Sequence, residues 1–403
     1  MSSVSLDRIR EAHVLLGPIV RRTPLLTSKT IDAMAGGPVH LKSENLQKTG
    51  SFKIRGAYTA LSRLSAADRP RGVVTASAGN HAQGVALAAR LTDTKALVFM
   101  PVGASIAKVL ATRGYGAEVK LAGDSFDGAV AAAEAFAKGS GATFISAFDH
   151  DDIIAGQGSV GLELLEDLPD LDTVLVPVGG GGLISGMAIA LKESRPSVRV
   201  IGVQAEGCSA ARQSWAAGEI VAIPQAKTIA DGIAVKRPSE RTLRYLRTYV
   251  DDMVTVADEE IATTIVTLLE RTKMLVEGAG AAALTALFTR RVAPAGRTAV
   301  VLSGGNIDIK LLEGLIERAM LKAGRYLRLF TAVEDRPGGL AKLLHEIADA
   351  RGNVMEVIHN RTSASVPIGM TGVEILIETR DAAHVDDLIG RLRSAGYPVQ
   401  AMT

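Results

Sequence analysis

The sequence has a single cysteine, no long apolar run and no excess of either charge. Cys208 is its only cysteine among 403 residues, so no internal disulfide can form, which favours a reducing compartment. No stretch approaches the roughly 18 consecutive apolar residues of a membrane helix. Residues 1–16 form an ordinary amphipathic stretch rather than a signal peptide. We therefore expect a cytoplasmic protein with no membrane partner.

The charge balance also restricts the class of partner. Lys plus Arg number 45 against 43 for Asp plus Glu, which gives a net charge of +2. A protein so balanced has no large basic surface, and we expect no nucleic-acid partner. Aromatic residues make up only 4% of the chain, whereas hydrophobic residues make up 47% and glycine occurs 41 times. This composition is typical of parallel sheets covered by helices of small residues.

Strand-like runs alternate with alanine-rich helical patterns through about three quarters of the chain. The strand-like runs are 39–42, 72–76, 95–100, 117–121, 143–146, 173–178, 198–204 and 298–302. Helical patterns between them include 82–91, 126–137 and 184–193. Such alternation predicts βαβ units, and hence an α/β fold with parallel sheets.

The pattern changes near Arg325. Strands are predicted at 326–333, 354–358, 373–377 and 398–402, with helices at 340–347 and 382–392. This β-α-β-β-α-β order predicts a ferredoxin-like unit. We expect two domains, 1–322 and 325–403.

Lys53 stands where a polar loop passes into a helix. The helical spacing begins at Ser51, an acceptable N-cap, so Lys53 is predicted in the first helical turn. The helix dipole disfavours a further positive charge there. An amine that titrates or forms an imine suits the position better than a surface cation does. Considered alone, however, a solvated lysine at a helix start is the simpler interpretation.

A buried strand at 174–178 leads into four consecutive glycines and then a helix. The glycines are Gly179, Gly180, Gly181 and Gly182. A dinucleotide motif G-x-G-x-x-G is excluded, because residues 184 and 185 are not glycine. Backbone N–H groups at a helix N-terminus suit a phosphate monoester, although a loop that only turns the chain is the alternative. A reactive amine together with a phosphate cradle indicates pyridoxal 5′-phosphate (PLP).

Four segments resemble the fold-type-II (tryptophan synthase β-like) PLP enzymes, and specifically the threonine dehydratase (threonine ammonia-lyase) family. They are residues 51–57 (SFKIRGA), 75–81 (TASAGNH), 178–183 (VGGGGL) and 302–306 (LSGGN). The resemblance covers about residues 10–320. It implies a two-lobed catalytic region in which a small lobe, about residues 75–149, moves to close the cleft.

The resemblance also implies a set of site residues. Lys53 would bond to the cofactor aldehyde, Asn80 would contact the ring hydroxyl and Ser303 would face the pyridine nitrogen. Other implied cofactor contacts are Phe52, Gly179, Gly180, Gly181, Gly182 and Leu183, with Gly232 and Glu277 as secondary candidates. The implied loop for the substrate carboxylate consists of Ser77, Ala78, Gly79, Asn80 and His81. A structural turn is the alternative for Gly232, and a solvated acid is the alternative for Glu277.

The chemistry of these residue types agrees with β-elimination. The Lys53 amine is the natural base for the acidified Cα–H of the substrate. A neutral Ser303 hydroxyl cannot hold the ring protonated as a carboxylate would, which favours rapid loss of a β-hydroxyl over transamination. The resemblance assigns protonation of the leaving group to the cofactor phosphate. His81 is an alternative acid, unless it only bonds to the backbone.

Two differences from related proteins narrow the predicted activity and the predicted metal content. Serine racemases typically carry a second serine where Ala78 stands, and an alanine cannot transfer a proton, so racemisation is disfavoured. Relatives bind a cation around Glu206 and Ala210, but Arg212 replaces an expected acid, so we assign no metal.

The C-terminal unit resembles an ACT domain, a regulatory module that binds small ligands. Residues 335–340 and 352–354 fit its ligand-facing turn and second strand. The resemblance implies an allosteric amino-acid effector such as isoleucine or valine. A module that serves only for dimerisation is the alternative.

The sequence therefore predicts a PLP-dependent threonine ammonia-lyase of amino-acid metabolism, for example isoleucine biosynthesis. Threonine, and serine as well, would be the substrates, and a homo-oligomer, either dimer or tetramer, is expected. A serine racemase or another β-eliminating enzyme of the same fold is one alternative. A non-catalytic amino-acid sensor is the other, although an intact Lys53 and glycine loop argue against it.

Overall fold

The computed structural model describes residues 4–360 and 366–402. Contacts divide the chain into two compact units, Met1–Ile307 and Asp308–Thr403. This division falls before the expected boundary at 322–325. The helix Ile309–Lys322 is counted with the second unit because it packs against that unit's first strand. Residues 1–3, 361–365 and 403, which belong to the expected domains, lie outside the described residues.

The first unit alternates helices and strands along its length. In chain order these are α1 (Leu6–Leu16), β1 (Leu25–Leu26), α2 (Lys29–Ala35), β2 (Val39–Lys42), α3 (Lys53–Ser62), β3 (Val73–Ala76), α4 (Asn80–Leu91), β4 (Ala96–Met100), α5 (Ile106–Gly114), β5 (Glu118–Leu121), α6 (Phe126–Ser140), β6 (Thr143–Phe144), α7 (Asp151–Asp167), β7 (Leu171–Pro177), α8 (Gly182–Ser194), β8 (Arg199–Ala205), α9 (Ala210–Ala217), α10 (Glu240–Tyr249), β9 (Asp252–Val256), α11 (Asp258–Thr272), α12 (Gly278–Phe288) and β10 (Arg297–Val301). Each strand expected from the sequence in this region is present, whereas β1 and β9 were not predicted.

Two sheets organise this unit. The larger sheet has the order β1-β2-β10-β7-β8-β9 and is parallel except for β1. The smaller sheet has the order β5-β4-β3-β6 and is wholly parallel. The predicted α/β class with parallel sheets and the fold-type-II architecture are confirmed. Strand β7 is buried at all but one of its positions, because helices cover both faces of a parallel sheet.

A buried ion network joins β2, α3 and α7. Arg55 donates to both carboxylate oxygens of Glu44, at 2.7 and 2.8 Å, and to both of Glu163, at 2.7 and 3.0 Å. Lys42 pairs with Glu163 at 2.7 Å. The side chains of Arg55, Glu44 and Lys42 are 0% exposed. Burial alone would lower the pKa of Arg55, but the two glutamates raise it. We call Lys42, Glu44, Arg55 and Glu163 the Arg55 network.

The second unit is a small antiparallel sheet with helices. Its elements are α13 (Ile309–Lys322), β11 (Tyr326–Glu334), α14 (Gly339–Asp349), β12 (Asn353–Asn360), β13 (Met370–Glu378), α15 (Ala382–Ser394) and β14 (Gln400–Met402). The sheet order is β12-β13-β11-β14, with every neighbouring pair antiparallel. This is the predicted ferredoxin-like arrangement. Buried aliphatic residues such as Leu329, Ile375 and Leu388 form its core.

Within residues 4–360 and 366–402, none of the helices combines the length and the apolar character needed to cross a bilayer.

Candidate active site

A cavity of about 900 Å³ opens in the first unit. Its walls follow the carboxyl ends of β2, β3, β6, β7 and β10, the edge at which α/β sheets bind ligands. The structure brings all of the site residues expected from the sequence to this cavity. They are Phe52, Lys53, Ser77, Ala78, Gly79, Asn80, His81, Gly179, Gly180, Gly181, Gly182, Leu183, Gly232, Glu277 and Ser303.

Lys53 is the first residue of α3, and its side chain reaches the cavity wall. The residue before the helix is Phe52, and its side chain makes no capping bond. The expectation that Ser51 caps this helix is therefore wrong: Ser51 is extended and bridges to Gly304 instead. The backbone N–H of Phe52 also donates to the Ser303 carbonyl at 3.2 Å. The segment before Lys53 is thus fastened to the segment that follows β10.

The Lys53 amine lies in a desolvated environment. Its Nζ donates to the carbonyl oxygen of Ala147 at 3.0 Å. The side chain can be reached from the cavity, yet protein atoms surround it densely. Burial lowers the pKa of the Lys53 amine from 10.5 to about 8, against the opposing charge of Glu277. At pH 7 roughly one amine in ten is therefore neutral, far more than for an ordinary lysine.

The segment between β3 and α4 forms a second wall. Gly79 precedes α4, no side chain caps that helix, and a Cβ added at Gly79 would meet no atom within 4 Å. His81, in the first turn, donates its Nε2–H to the Ile145 carbonyl at 3.1 Å, because that oxygen can only accept. Burial, followed by the Lys53 charge, lowers the pKa of His81 to about 3. The imidazole is therefore neutral and Nδ1 carries no proton.

The four glycines occupy a crowded turn between β7 and α8. Gly181 has φ +92°, a conformation that side chains rarely adopt. A Cβ on Gly180 would lie 2.3 Å from the Phe148 ring, and one on Gly179 would lie 3.0 Å from Ile233 Cα. No side chain caps α8, so the N–H groups of its first turn remain available to an anion.

Glu277 immediately precedes α12 and is only 4% exposed. Its Oε1 accepts a hydrogen bond of 2.6 Å from Asn80 Nδ2. Burial, and then the charge of Asp231, raise the pKa of the Glu277 carboxyl to about 7, against the Asn80 hydrogen bond. Glu277 is thus a desolvated acid beside the cavity, not the solvated acid that the sequence also allowed.

Several cavity residues had no assigned role in the sequence. Two ion pairs cross the cavity mouth from the smaller-sheet region to residues 231–236: Lys108 with Asp231, and Lys236 with Asp127, each at 2.7 Å. Asn306 also lines the cavity. Its place as the last residue of the segment 302–306 was the one available signal. The ion pairs join residues more than 100 positions apart, so no local pattern announces them.

The donor set fits a cofactor that carries an aldehyde and an anionic group. A desolvated amine can bond to a carbonyl carbon, and an uncapped helix N-terminus after four glycines can hold a phosphate. Ser303, 3% exposed, adds a neutral hydroxyl at the same cavity. No group of three or more His, Cys, Asp or Glu side chains suited to a metal occurs among the described residues.

Comparison with known proteins agrees with this chemistry. The chain is 49% identical to the L-threonine ammonia-lyase of Geobacter sulfurreducens over 395 residues, 98% of both chains. It is 46% identical to the L-threonine ammonia-lyase of Thermotoga maritima, over 98% of this chain and 99% of the relative. The structure of maize serine racemase is similar with a TM-score of 0.75 and 36% identity, over 80% of this chain and 99% of the racemase.

The family described as "Pyridoxal-phosphate dependent enzyme" matches residues 16–304. This match contains every strand of both sheets of the first unit, and every residue that lines the cavity except Asn306. It extends over well more than half of the chain. The chain therefore belongs to the family of pyridoxal-phosphate dependent enzymes.

Proposed function

We propose that the chain is an L-threonine ammonia-lyase, which converts L-threonine to 2-oxobutanoate and ammonia and L-serine to pyruvate and ammonia. The observation that carries this proposal is the desolvated Lys53 amine, which faces a cavity shared with an uncapped helix N-terminus. The names of the relatives, which match 98% of the chain at 46% and 49% identity, support the same reaction.

Pyridoxal 5′-phosphate is the cofactor, and when bound it supplies an electron-withdrawing ring that acidifies the substrate Cα–H bond. We assign Lys53 to its aldehyde and Ser303 to its ring nitrogen. The N–H groups of the glycine turn and of Leu183 would hold its phosphate. Asn80, with Phe52, Gly232 and Glu277 around it, would form the remaining wall.

Lys53 is the proposed base. Its Nζ has to be neutral to accept the Cα proton, and the lowered pKa provides that form near neutral pH. The bond from Nζ to the Ala147 carbonyl directs the amine within the cavity.

The segment Ser77, Ala78, Gly79, Asn80 and His81 is the proposed site for the substrate carboxylate. It ends at the uncapped N-terminus of α4, where backbone N–H groups and the helix dipole favour an anion. His81 has no proton on Nδ1 and uses Nε2–H on Ile145, so we do not assign it as the acid for the leaving hydroxyl.

Serine racemisation is the second candidate, because a serine racemase is among the similar structures. Racemisation requires a second proton donor on the opposite face of the substrate. The Ala78 methyl group lines the cavity and has no exchangeable proton. We therefore expect elimination from L-serine without accumulation of D-serine, as chiral chromatography of the products would measure.

The direct test is Lys53→Ala. We expect the purified protein to be yellow, and the variant to lose both the cofactor absorbance above 400 nm and the release of ammonia from threonine. Lys48→Ala is the matched control, since Lys48 Nζ bonds to the Ile19 carbonyl rather than facing the cavity. A yellow, active Lys53→Ala protein would refute the assignment.

We also propose that 1–322 is the catalytic domain and that 325–403 is an ACT domain whose amino-acid effector shifts the catalytic lobes. Differential affinity for two states is what would couple the two sites. The ferredoxin-like sheet and the exposed turn at Gly338, with φ +88°, support it. Truncation after Lys322 should abolish a response to isoleucine or valine, and an unchanged response would contradict the proposal.

A cytoplasmic homo-oligomer, either a dimer or a tetramer, completes the proposed description. Light scattering coupled to gel filtration would measure its mass. Movement of the small lobe, about 75–149, is part of the same proposal. The two ion pairs at the cavity mouth support it, because they join this lobe to Asp231 and Lys236 on the other side of the cavity.

A further inference from the structure

The side chain of Asn306 uses both hydrogens of its amide within the site. Its Nδ2 donates to the backbone carbonyl of Thr49 at 2.7 Å and to Asn80 Oδ1 at 2.7 Å. A backbone carbonyl can only accept, so the Thr49 contact fixes which end of the Asn306 amide is the donor. The orientation of this amide is therefore determined by the fold itself.

That orientation is passed on to Asn80. Since Asn306 donates to Asn80 Oδ1, the other end of the Asn80 amide must point away from Asn306. Asn80 Nδ2 accordingly donates to Glu277 Oε1 at 2.6 Å. If the Asn80 amide were reversed, its nitrogen would face the Asn306 amide nitrogen and its oxygen would face the Glu277 carboxylate, so both hydrogen bonds would be lost. Asn306 thus selects one of the two orientations of Asn80.

Asn306 also contacts the turn that leads to Lys53. Thr49 and Gly50 have φ of +65° and +70°, so two successive residues are left-handed, and one of them carries a β-branched side chain. Asn306 holds the Thr49 carbonyl, and a Cβ on Gly50 would lie 2.5 Å from Asn306 Oδ1. The neighbouring Gly305 N–H donates to the Gly50 carbonyl at 2.9 Å. Asn306 therefore stabilises a strained turn three residues before the amine.

We propose that Asn306 is a positioning residue: one amide fixes the direction of Asn80 toward the cofactor and holds the Thr49–Gly50 turn that presents Lys53. This inference rests on the proposed function for its activity assay, but it extends to cofactor binding by the protein without substrate. Asn306 is bonded to Asn80 and to the Thr49 carbonyl at the same time.

The test compares Asn306→Ala with a matched asparagine. Asn45 is 7% exposed and donates Nδ2 to the Leu275 carbonyl at 3.2 Å, so Asn45→Ala also removes a buried amide bond. Asn306→Ala should lower kcat/KM for threonine about 10- to 100-fold and weaken PLP binding about tenfold. Asn45→Ala should keep both within about threefold of the unmodified enzyme, even with a similar loss of melting temperature.

A pH profile provides a readout that a purely structural role would not change. Glu277 faces Asp231, Lys108 and Lys53 as well as Asn80. Replacing Asn306 changes none of these charged groups, so the comparison with the unmodified enzyme tests the Asn80 amide alone. Without Asn306 the Asn80 amide can turn, and its donor no longer favours the ionised form of Glu277. The pKa of Glu277, followed as the pH midpoint of the change in cofactor absorbance near neutrality, should then rise by about one pH unit. The shift should vanish in Asn306→Ala combined with Glu277→Gln.

Three results would overturn the inference: unchanged PLP affinity in Asn306→Ala, losses of kcat/KM and PLP affinity equal to those of Asn45→Ala, or a midpoint shift that persists when Asn306→Ala is combined with Glu277→Gln. If Asn306→Ala does not fold, Asn306→Ser, which keeps one donor, takes the same measurements. If the unmodified enzyme made no 2-oxobutanoate, the proposed function would fail, whereas PLP affinity and absorbance would still decide the role of Asn306.

Discussion

Two buried glutamates in the first unit should respond to neutralisation with opposite signs. In cofactor-free protein, Glu277→Gln removes a carboxylate that is desolvated beside Asp231, whereas Glu163→Gln removes one that is bonded to Arg55 and Lys42. Gln is close to isosteric with Glu, and its amide oxygen can still accept the bond from Asn80. The comparison therefore isolates the charge.

The magnitude for Glu277 follows from its pKa. A carboxyl whose pKa rises from 4.5 to about 7 on folding stabilises the folded state less as pH increases between those values. The cost is roughly 3 kcal/mol above pH 7 and less than about 1 kcal/mol at pH 5. A unit of about 300 residues loses roughly 0.6 kcal/mol per degree near its midpoint. Glu277→Gln should thus raise the melting temperature by about 5 °C at pH 8 and about 1 °C at pH 5.

Glu163→Gln is the control with the reverse sign. Burial would raise the pKa of Glu163, but Arg55 and Lys42 outweigh it and lower that pKa below 4.5. A lowered pKa gives stability that is present above pH 4.5 and is lost only as pH falls through the folded value. Removing one partner of a buried pair costs about 3–5 kcal/mol, so the midpoint should drop about 5–8 °C at both pH 8 and pH 5.

The assay is thermal unfolding of the cofactor-free proteins at pH 8 and pH 5, at one scan rate and salt concentration. The reasoning predicts a gain for Glu277→Gln that shrinks in acid, together with a loss for Glu163→Gln that does not. A loss for Glu277→Gln at pH 8, or an equal gain at both pH values, would refute the account of Glu277 as an uncompensated buried acid.

Three further outcomes follow from contacts in the first unit. Arg55→Met leaves the two glutamates of the Arg55 network buried without their guanidinium, and should lower the melting temperature by about 5–8 °C. Gly180→Ala places a Cβ 2.3 Å from the Phe148 ring, so PLP affinity measured by absorbance should fall at least about tenfold while the chain still folds. Lys236→Glu should change KM for threonine less than about fivefold, because its pair with Asp127 is largely exposed. Adding Asp127→Lys should restore KM, and high salt should remove the difference.

The strand ends that form the cavity could be predicted because parallel strands deliver their loops to one edge. The segments after β3 and β10 each carried glycine with serine and asparagine, the segment after β7 carried four glycines, and the structure brings all three together around Lys53. Strand β9, which lies between α10 and α11, was not predicted, because buried and half-buried positions do not alternate regularly along its five residues.

The polar contacts inside the site were beyond any local pattern. Asn80 meets Glu277 and Asn306 across separations of 197 and 226 residues. The sequence suggested Glu277 as a cofactor neighbour, but its protonation depends on burial and on Asp231, which only the fold assembles. Ser51 was misassigned as a cap for a similar reason. Ser51 pairs with Gly304 instead, and Phe52, which already has helical φ and ψ, takes the position before α3.

Lys53 and Arg55 show how one helical turn serves the cavity and the core together. Two residues along an α-helix are rotated by about 200°, so the two side chains leave α3 on nearly opposite sides. Arg55 enters the interior between Glu44 and Glu163, whereas Lys53 reaches the cavity wall at Ala147. A desolvated amine weakens the fold, since its charged form has lost hydration. The bidentate bonds of Arg55 to Glu44 and Glu163 hold the same turn from the other side. The core thus holds the helical turn that carries the amine, in addition to the Thr49–Gly50 turn that precedes it.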